Sequence, residues 1–287
     1  MNAAGGWRFT GDAEEFHRHA GGYLAADPAR STALLTVADT VRRHGAGALG
    51  AGSAAFGWWR ADGGGPVAGA FVRTPPRAPL LGPMPEEAAA RLAGALRAAY
   101  TGDLPGVQGG EGPARAFAEA WTARGGTWRA AHRTRLFRLG DLTPPDPAPP
   151  GGARRATAAD VPLAAGWMRA FAADIGEDPT ADRTPQVARR VADGVLYLWE
   201  VAGRAVSLAA HSPPVAGQSR VSPVYTPPAL RGRGYAGALT AAVSRAALAA
   251  GAGQVLLFAD VANPTSTALY QRLGYRPVGD HLDVEFG

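Results

Sequence analysis

One segment of this chain carries most of its structural information: Val224-Tyr225-Thr226-Pro227-Pro228-Ala229-Leu230-Arg231-Gly232-Arg233-Gly234-Tyr235-Ala236-Gly237. Its pattern predicts a short apolar strand, then a turn, then the start of an alanine-rich helix. The first amides of a helix have no partner inside the helix, and the helix dipole adds positive potential there. Gly232 and Gly234 lack a Cβ, which lets a bulky anion approach the main chain closely. The segment therefore predicts a phosphate site at a helix start.

The composition limits the kind of protein that can use such a site. The chain has 287 residues, a formal net charge of +5 and no cysteine. The absence of cysteine excludes disulfides, thiolate nucleophiles and cysteine-based metal sites, and we expect a cytoplasmic location. Its 29 basic residues are all arginine. They are scattered rather than grouped with aromatic residues, so we expect no nucleic-acid partner. Because no apolar run reaches about 18 residues, we also expect no membrane partner.

Proline marks the clearest boundary in the chain. Residues 143–152 contain five prolines, which interrupt helices and strands, so this segment predicts a semi-rigid linker between domains at 1–142 and 153–287. Each half has a predicted β-hairpin, preceded by helical pattern and followed by a strand, a helix, a strand and a helix. The chain therefore looks like a duplicated α/β domain. The hairpin strands are Phe56–Arg60 with Val67–Val72, and Leu196–Glu200 with Ala205–Ala210.

The first half differs where the second half has its arginine- and glycine-rich turn. Glu86 and Glu87 stand at the start of the corresponding helix. Two carboxylates at that position would repel a phosphate. We therefore expect a degenerate N-terminal domain without a cofactor loop, which supports the structure or forms a wall of the substrate site.

Two other phosphate-binding folds can be weighed from the residues. A Walker-type P-loop requires a lysine, and the chain has none. A dinucleotide-binding fold would match Gly232–Gly237 as G-x-G-x-x-G, with Asp260 near the expected ribose-binding acid. Pro227 and Pro228 oppose this match because they end the strand well before Arg233. Only 27 residues follow Asp260, too few for the further parallel strands of that fold.

A third class fits the spacing of the turn. Arg231-x-x-Gly234-x-Ala236 after a strand resembles the pyrophosphate-binding motif of the GCN5-related N-acetyltransferase (GNAT) superfamily. The resemblance continues through the strand 255–260 and the segment 263–275, which begins with asparagine and closes with Gly-Tyr. It implies an α/β fold of two GNAT-like three-layer αβα domains, each a mixed, largely antiparallel twisted sheet flanked by helices. It also implies a splay between the fourth and fifth strands of the C-terminal domain, which would admit pantetheine.

The resemblance implies an acetyl-CoA-dependent N-acetyltransferase that transfers an acetyl group directly to a primary amine in a ternary complex. The alternative is a non-catalytic regulatory module that binds coenzyme A. The expected acceptor is a small-molecule or peptide amine, and the acidic segment 174–182 either favours a cationic amine or is a solvated loop. We expect a monomer or a homodimer. The implied coenzyme contacts are Val224, Tyr225, Thr226, Arg231, Gly232, Arg233, Gly234, Tyr235, Ala236, Asn263 and Ser266.

Tyr270, Asp260 and Glu200 are the candidate catalytic residues. By the resemblance, Tyr270 protonates the departing coenzyme A sulfur. An amine with a pKa near 10 must lose a proton before it attacks, and the sequence leaves the base open among Asp260, Glu200, His211 and a water molecule. A backbone N–H near Val224 or Tyr225 is the expected oxyanion donor.

We expect no metal site in this chain. His17 and His19 form an H-x-H near the N-terminus, but no further ligands stand at a suggestive spacing.

Overall fold

The computed structural model describes residues 6–49, 52–61, 64–100 and 102–287, and the chain divides into two compact units. The first unit comprises the described residues up to Leu136, together with Ala259–Asn263 and Pro277–Gly287. The second comprises Phe137–Phe258 and Pro264–Arg276. Residues 277–287, which the sequence analysis assigns to the C-terminal domain, are therefore counted with the first unit, and the domain boundaries stay a prediction.

The first unit is built on a mixed sheet. Its strands are β1 (Trp7–Thr10), β2 (Ala55–Arg60), β3 (Val67–Arg73), β4 (Leu80–Leu81), β5 (Gly106–Gly110), most of β6 (Trp128–Leu139) and most of β12 (Tyr275–Phe286). The pairs β1–β2, β2–β3, β3–β4 and β5–β12 are antiparallel, and β4–β5 is parallel. The predicted hairpin is the pair β2–β3, with Phe56 opposite Val72.

Helices cover the sheet of the first unit with apolar side chains. They are α1 (Ala13–Ala26), α2 (Thr32–His44), α3 (Glu86–Ala99) and α4 (Glu111–Thr122). Trp7, Phe71, Leu92 and Phe117 are fully buried in one core cluster. Glu86 and Glu87 occupy the first turn of α3, as the sequence indicates.

The second unit has five strands in the order β11-β10-β9-β8-β7. They are β7 (Gly152–Arg155), β8 (Leu196–Val201), β9 (Arg204–His211), β10 (Gln218–Tyr225) and β11 (Gln254–Asp260), the last two residues of which are counted with the first unit. Successive pairs from β7 to β10 are antiparallel and β10–β11 is parallel. Its helices are α5 (Val161–Asp174), α6 (Thr184–Ala192), α7 (Tyr235–Ala249) and α8 (Pro264–Arg272).

Strand alternation separates the helices of the second unit into two layers. Successive side chains of a strand point to opposite faces of its sheet. Leu196 and Leu198 pack with α5 and α6 in one core cluster. Tyr197 and Trp199 instead line a groove together with Ala238 of α7. The predicted α/β fold, a mixed sheet with helices on both faces, is confirmed.

The proline-rich segment 143–152 is held against the second unit. The indole N–H of Trp199 donates to the carbonyl of Pro150 at 2.8 Å, and the Thr143 N–H donates to the carbonyl of Leu273 at 3.0 Å. Pro149 lies beside Gly234, where a Cβ added to the glycine would stand 3.6 Å from the proline ring. These contacts fix the segment near the start of α7. None of the helices in the described ranges is long and apolar enough to cross a membrane.

Candidate active site

β10 and β11 separate part of the way along their length. Their parallel pairing runs from Gln218 opposite Gln254 to Arg220 opposite Leu256, although both strands continue well beyond this last pair. β10 stays paired with β9, with an irregularity between Val221 and Val224. One edge of β10 is therefore open after Arg220. This is the splay expected between the fourth and fifth strands of the C-terminal domain.

The arginine- and glycine-rich turn follows β10 after a short 3-10 helix at Pro228–Leu230. Gly232 has φ 76° and Gly234 has φ 82°, both in the left-handed region where a Cβ causes strain. Helix α7 begins at Tyr235, its first turn contains no acidic residue, and no side chain caps it. Residues 231–234 are exposed. The turn thus presents a helix N-terminus to solvent.

The amides at this helix start are available to a ligand. Within the part of the chain that the structure describes, the backbone N–H groups of Arg233, Gly234, Tyr235 and Ala236 donate to no protein group. The first hydrogen bond of the helix is the one from Ala238 to the carbonyl of Gly234 at 3.1 Å. Four unpaired donors on an uncapped helix are a suitable cradle for a diphosphate.

Arg231 anchors the turn to the rest of the unit. Its Nε donates to the carbonyl of Thr226 at 2.9 Å, and its Nη2 donates to the carboxylate of Asp174 at 2.5 Å. Asp174 is the last residue of α5. The Ser207 hydroxyl lies 2.8 Å from that of Thr226 and donates to the carbonyl of Tyr225 at 3.0 Å. These contacts hold the end of β10 in place beside the turn.

Aromatic side chains from α5 surround Tyr225. The rings of Trp167 and Phe171 have centroids 6.3 Å and 6.4 Å from that of Tyr225. Burial raises the pKa of Tyr225, and the nearby charge of Asp174 acts in the same direction. Val224 is half-buried on the same strand. The predicted coenzyme contacts Val224 and Tyr225 therefore lie in the part of β10 whose edge is open, and Thr226 follows directly after the strand.

Tyr270 lies on α8 with its side chain enclosed. It is 8% exposed, and its ring packs edge-on against Tyr275 with centroids 6.1 Å apart. No described protein group bonds its hydroxyl, whereas the hydroxyl of Tyr275 lies 2.6 Å from that of Ser244. Burial raises the pKa of Tyr270 to about 12, so the phenol stays protonated near neutral pH. It is an acid whose hydroxyl has no competing protein partner.

Glu200 is engaged in an ion-pair cluster at the strand edge. Arg154 donates through Nε to Glu200 at 2.5 Å and through its two Nη atoms to Asp160 at 2.8 Å and 2.9 Å. The Arg154 guanidinium is the main cause of a pKa at Asp160 well below the usual range. Glu200 lies on β8, two strands away from the open edge of β10. The structure gives Glu200 a stabilising partner, and its catalytic role stays a prediction.

Asp260 and His211 have local partners. A carboxylate oxygen of the exposed Asp260 accepts from the N–H of Ala262 at 2.8 Å. The His211 Nδ1 lies 2.9 Å from the carbonyl of Ser212, and burial lowers the pKa of the ring. Asn263 stands directly before α8 and is exposed, and Ser266 lies half-buried in the first turns of that helix. No base is singled out among these side chains.

Sequence reasoning missed Arg220, which lies on β10 at its last residue pair with β11. The Arg220 guanidinium carbon lies 5.8 Å from the centre of the Phe258 ring. The signal was present: Arg220 is a charged residue inside an otherwise uncharged strand.

In the described ranges no group of three or more histidine, cysteine or acidic side chains could hold a metal ion.

The comparisons with known proteins agree with this architecture. Residues 203–282 match the family model of the FR47-like protein, a stretch that runs from the β8–β9 turn into β12. No curated protein matches the chain. Among solved structures, the chain is similar to a protein from Drosophila, with 14% identity, 98% of each chain covered and a TM-score of 0.69.

Two further solved structures are named as acetyltransferases. One is a GCN5-related N-acetyltransferase from Sphaerobacter thermophilus, with 17% identity, 98% of this chain and 95% of that chain covered, and a TM-score of 0.59. The other is a GNAT-family acetyltransferase from Colwellia psychrerythraea, with 11% identity, 98% of each chain covered and a TM-score of 0.57. Residues 203–282 thus match the FR47-like family, and the chain has the fold of the GCN5-related N-acetyltransferases.

Proposed function

We propose that this protein is an acyltransferase that moves the acetyl group of acetyl-CoA to a primary amine by direct attack in a ternary complex. The observation that carries the proposal is the turn at residues 231–234. It combines two left-handed glycines, an uncapped helix start and unpaired amides at the end of a strand whose edge is open. That combination suits a diphosphate attached to an extended arm.

Groups of this protein can carry out the successive steps of acetyl transfer. The amides of the turn hold the diphosphate. The open edge of β10 pairs with the amide groups of the pantetheine arm as another strand would. A backbone N–H near Val224 or Tyr225 donates to the oxyanion as the amine attacks the thioester carbon. The carbon–sulfur bond then breaks and the sulfur leaves with the electron pair.

Tyr270 is the proposed proton donor for that sulfur. Its phenol is protonated near neutral pH, as any tyrosine with a pKa of 10 or more is, and burial raises the pKa of Tyr270 further, to about 12. A positioned acid of this kind contributes roughly 100- to 10,000-fold to a rate. The amine's proton leaves through water or through Asp260. No cysteine is available for an acyl-enzyme intermediate, which favours direct transfer.

A coenzyme A-binding module without catalysis is the second candidate. The observation that favours it is that Glu200, Asp260 and His211, the residues weighed as bases, each have a protein partner. Calorimetry with acetyl-CoA, followed by thiol release measured with a panel of primary amines, separates the two. Binding with turnover supports the enzyme, and binding without turnover supports the module. Absence of coenzyme binding would contradict both.

A further inference from the structure

A groove on the second unit takes no part in the proposed reaction. It has a volume of about 590 Å³ and is lined by helix α7, the strands β7 and β8, and the proline-rich segment 143–152. All of its lining residues belong to the second unit. Small-molecule sites in proteins typically have volumes of about 300 to 1,000 Å³. The groove is therefore large enough for a ligand of its own.

Small side chains on α7 leave this space open. Ala238, Ala241 and Ala242 line the groove, and their spacing places them on one face of the helix. Because a methyl group extends only a short way from the helix, these positions leave room between α7 and the two strands. From β8 the groove is lined by the rings of Tyr197 and Trp199, which are 8% and 7% exposed. Methyl groups and aromatic rings suit the apolar body of a ligand.

The polar side-chain groups that the groove offers to a ligand are hydrogen-bond donors. The indole N–H of Trp199 already donates to the carbonyl of Pro150 at 2.8 Å, so Trp199 offers only its ring. The Nε of Arg155 donates to the Tyr197 hydroxyl at 3.2 Å. This contact leaves the hydroxyl proton and the terminal nitrogens of Arg155 for a ligand. Arg245 lines the groove near the end of α7 and adds a second guanidinium.

Internal ion pairs compensate only part of the positive charge in this groove. Arg154, which also lines it, is paired with Asp160 and Glu200. Among the residues that the structure describes, no carboxylate lies within ion-pair distance of Arg155 or Arg245, and no acidic residue lines the groove. Both of these arginines are exposed. The charge that remains after internal pairing therefore favours an anion.

The groove is distinct from the phosphate turn. Arg245 lies 11 residues after Gly234, which corresponds to roughly 16 Å of helix at 1.5 Å per residue. The unpaired amides of the turn and the guanidinium of Arg245 thus belong to opposite ends of α7. A second molecule can therefore occupy the groove while the turn holds a diphosphate.

We propose that this groove is a second binding site, for a small molecule that carries a carboxylate or a phosphate on a planar apolar body. The inference goes beyond the proposed function and does not depend on it. Arg155 and Arg245 bind the oxyanion, because a guanidinium pairs with either group through charge-assisted hydrogen bonds. The ring of Trp199 and the methyl groups of α7 contact the planar body.

The test compares probes that differ only in the charged group. The pairs are 2-naphthoate with 2-naphthamide, and adenosine 5′-monophosphate with adenosine, each titrated by calorimetry with and without saturating acetyl-CoA. We expect at least one anion to bind about tenfold or more tightly than its neutral partner, because the neutral probe cannot form the charge-assisted hydrogen bonds. The anion that is preferred distinguishes a carboxylate ligand from a phosphate ligand.

The affinity for the preferred anion should stay within about threefold when acetyl-CoA is saturating, because the two sites are separate. Displacement by acetyl-CoA would assign the groove to the coenzyme itself and overturn the proposal. Equal affinity within both pairs, or no binding of either anion at millimolar concentration, would overturn it as well. Failure of acetyl-CoA to bind would count against the proposed function alone.

Ala242→Leu and Ala246→Leu form a matched pair that locates the ligand. Both alanines are half-buried on α7, but only Ala242 lines the groove. Ala242→Leu should weaken binding of the preferred anion by about tenfold or more, because the added side chain occupies the space of the ligand. Ala246→Leu should bind that anion within about twofold of wild type. An equal loss in both variants, or no loss in Ala242→Leu, would rule out this groove.

Arg155→Gln and Arg245→Gln test the charge, with Arg204→Gln as the control, since Arg204 is also exposed but lies outside the groove. At least one of the first two should reduce the preference for the anion over its neutral partner by about fivefold or more. Affinity for the neutral partner and the melting temperature should change little, because both side chains are exposed. Arg204→Gln should keep the preference. Retention of the preference in both Arg155→Gln and Arg245→Gln would contradict the proposal.

Discussion

Replacing Gly234 by glutamate tests the phosphate site sharply, because glutamine at the same position supplies a neutral control of the same shape. Both substitutions put a side chain on a residue with φ 82°, which costs about 1 to 2 kcal/mol of native stability. An added Cβ would meet Pro149 at 3.6 Å, an ordinary contact, so crowding adds little. Gly234→Glu should unfold at the same temperature as Gly234→Gln or slightly above it, because a carboxylate at a helix start interacts favourably with the helix dipole.

Only the charge then separates their affinities for acetyl-CoA. For a carboxylate about 6 Å from a phosphate, each pair of charges repels by about 0.7 kcal/mol in water and about 2.8 kcal/mol at an effective dielectric constant of 20. Two phosphate charges double these values. Because residues 231–234 are exposed, the lower end applies, and we expect Gly234→Glu to bind roughly 10- to 100-fold more weakly than Gly234→Gln.

Isothermal titration calorimetry at low and high salt measures this difference. The difference in acetyl-CoA affinity between Gly234→Glu and Gly234→Gln should become smaller at about 1 M salt, where the screening length falls to about 3 Å. Gly251→Glu is the positional control, because Gly251 also has a left-handed φ, 96°, but lies just beyond the other end of α7. It should lose stability and keep its affinity. Equal affinities of Gly234→Glu and Gly234→Gln at low salt would refute the placement of the phosphates at this turn.

Three further changes have expected outcomes. Tyr270→Phe should lower kcat by about 100-fold and leave the affinity for acetyl-CoA within about twofold of wild type. The free energy of unfolding should not fall, because no described group bonds the Tyr270 hydroxyl. An unchanged kcat would show that Tyr270 takes no part in the reaction. Glu200→Gln should keep most of its turnover in the same assay, since Arg154 already engages that carboxylate, and a loss beyond about tenfold would identify Glu200 as the base. The low pKa of Asp160 in the folded protein means that its stabilising effect is complete above about pH 4 and lost on acidification below it. Asp160→Asn should weaken the dependence of the melting temperature on pH below about pH 4. An unchanged dependence on pH would contradict the ion pair between Asp160 and Arg154.

The arginine- and glycine-rich turn could be predicted because its determinants are local. Pro227 and Pro228 end the strand, two glycines permit left-handed backbone, and an alanine-rich run follows. The sequence pattern predicts a helix at Tyr235–Ala250, and α7 spans Tyr235–Ala249. The segment around Tyr270 was predicted as Pro264–Leu273, and α8 spans Pro264–Arg272. Backbone conformation over a few residues is sufficient for both features.

Contacts between distant segments could not be predicted in the same way. Arg231 is a predicted coenzyme contact, and nothing in the sequence indicates that it also joins Thr226 and Asp174, the latter 57 residues earlier in the chain. Glu200 is a candidate base by sequence. The sequence does not indicate that Arg154, on the neighbouring strand, donates a hydrogen bond to its carboxylate. Residues 281–285 pair with β5, which no local pattern indicates. Each case depends on which side chains the fold brings together.

Charge shows most clearly why composition alone misleads in this site. The acidic segment 174–182 suggests attraction for a cation, yet its carboxylates bind Arg231, Arg183 and two threonines of the protein itself. A ligand responds to the charge that remains after internal pairing. Asp174 and Glu177 are paired with arginines of the protein, so the segment attracts a cation less strongly than its composition suggests.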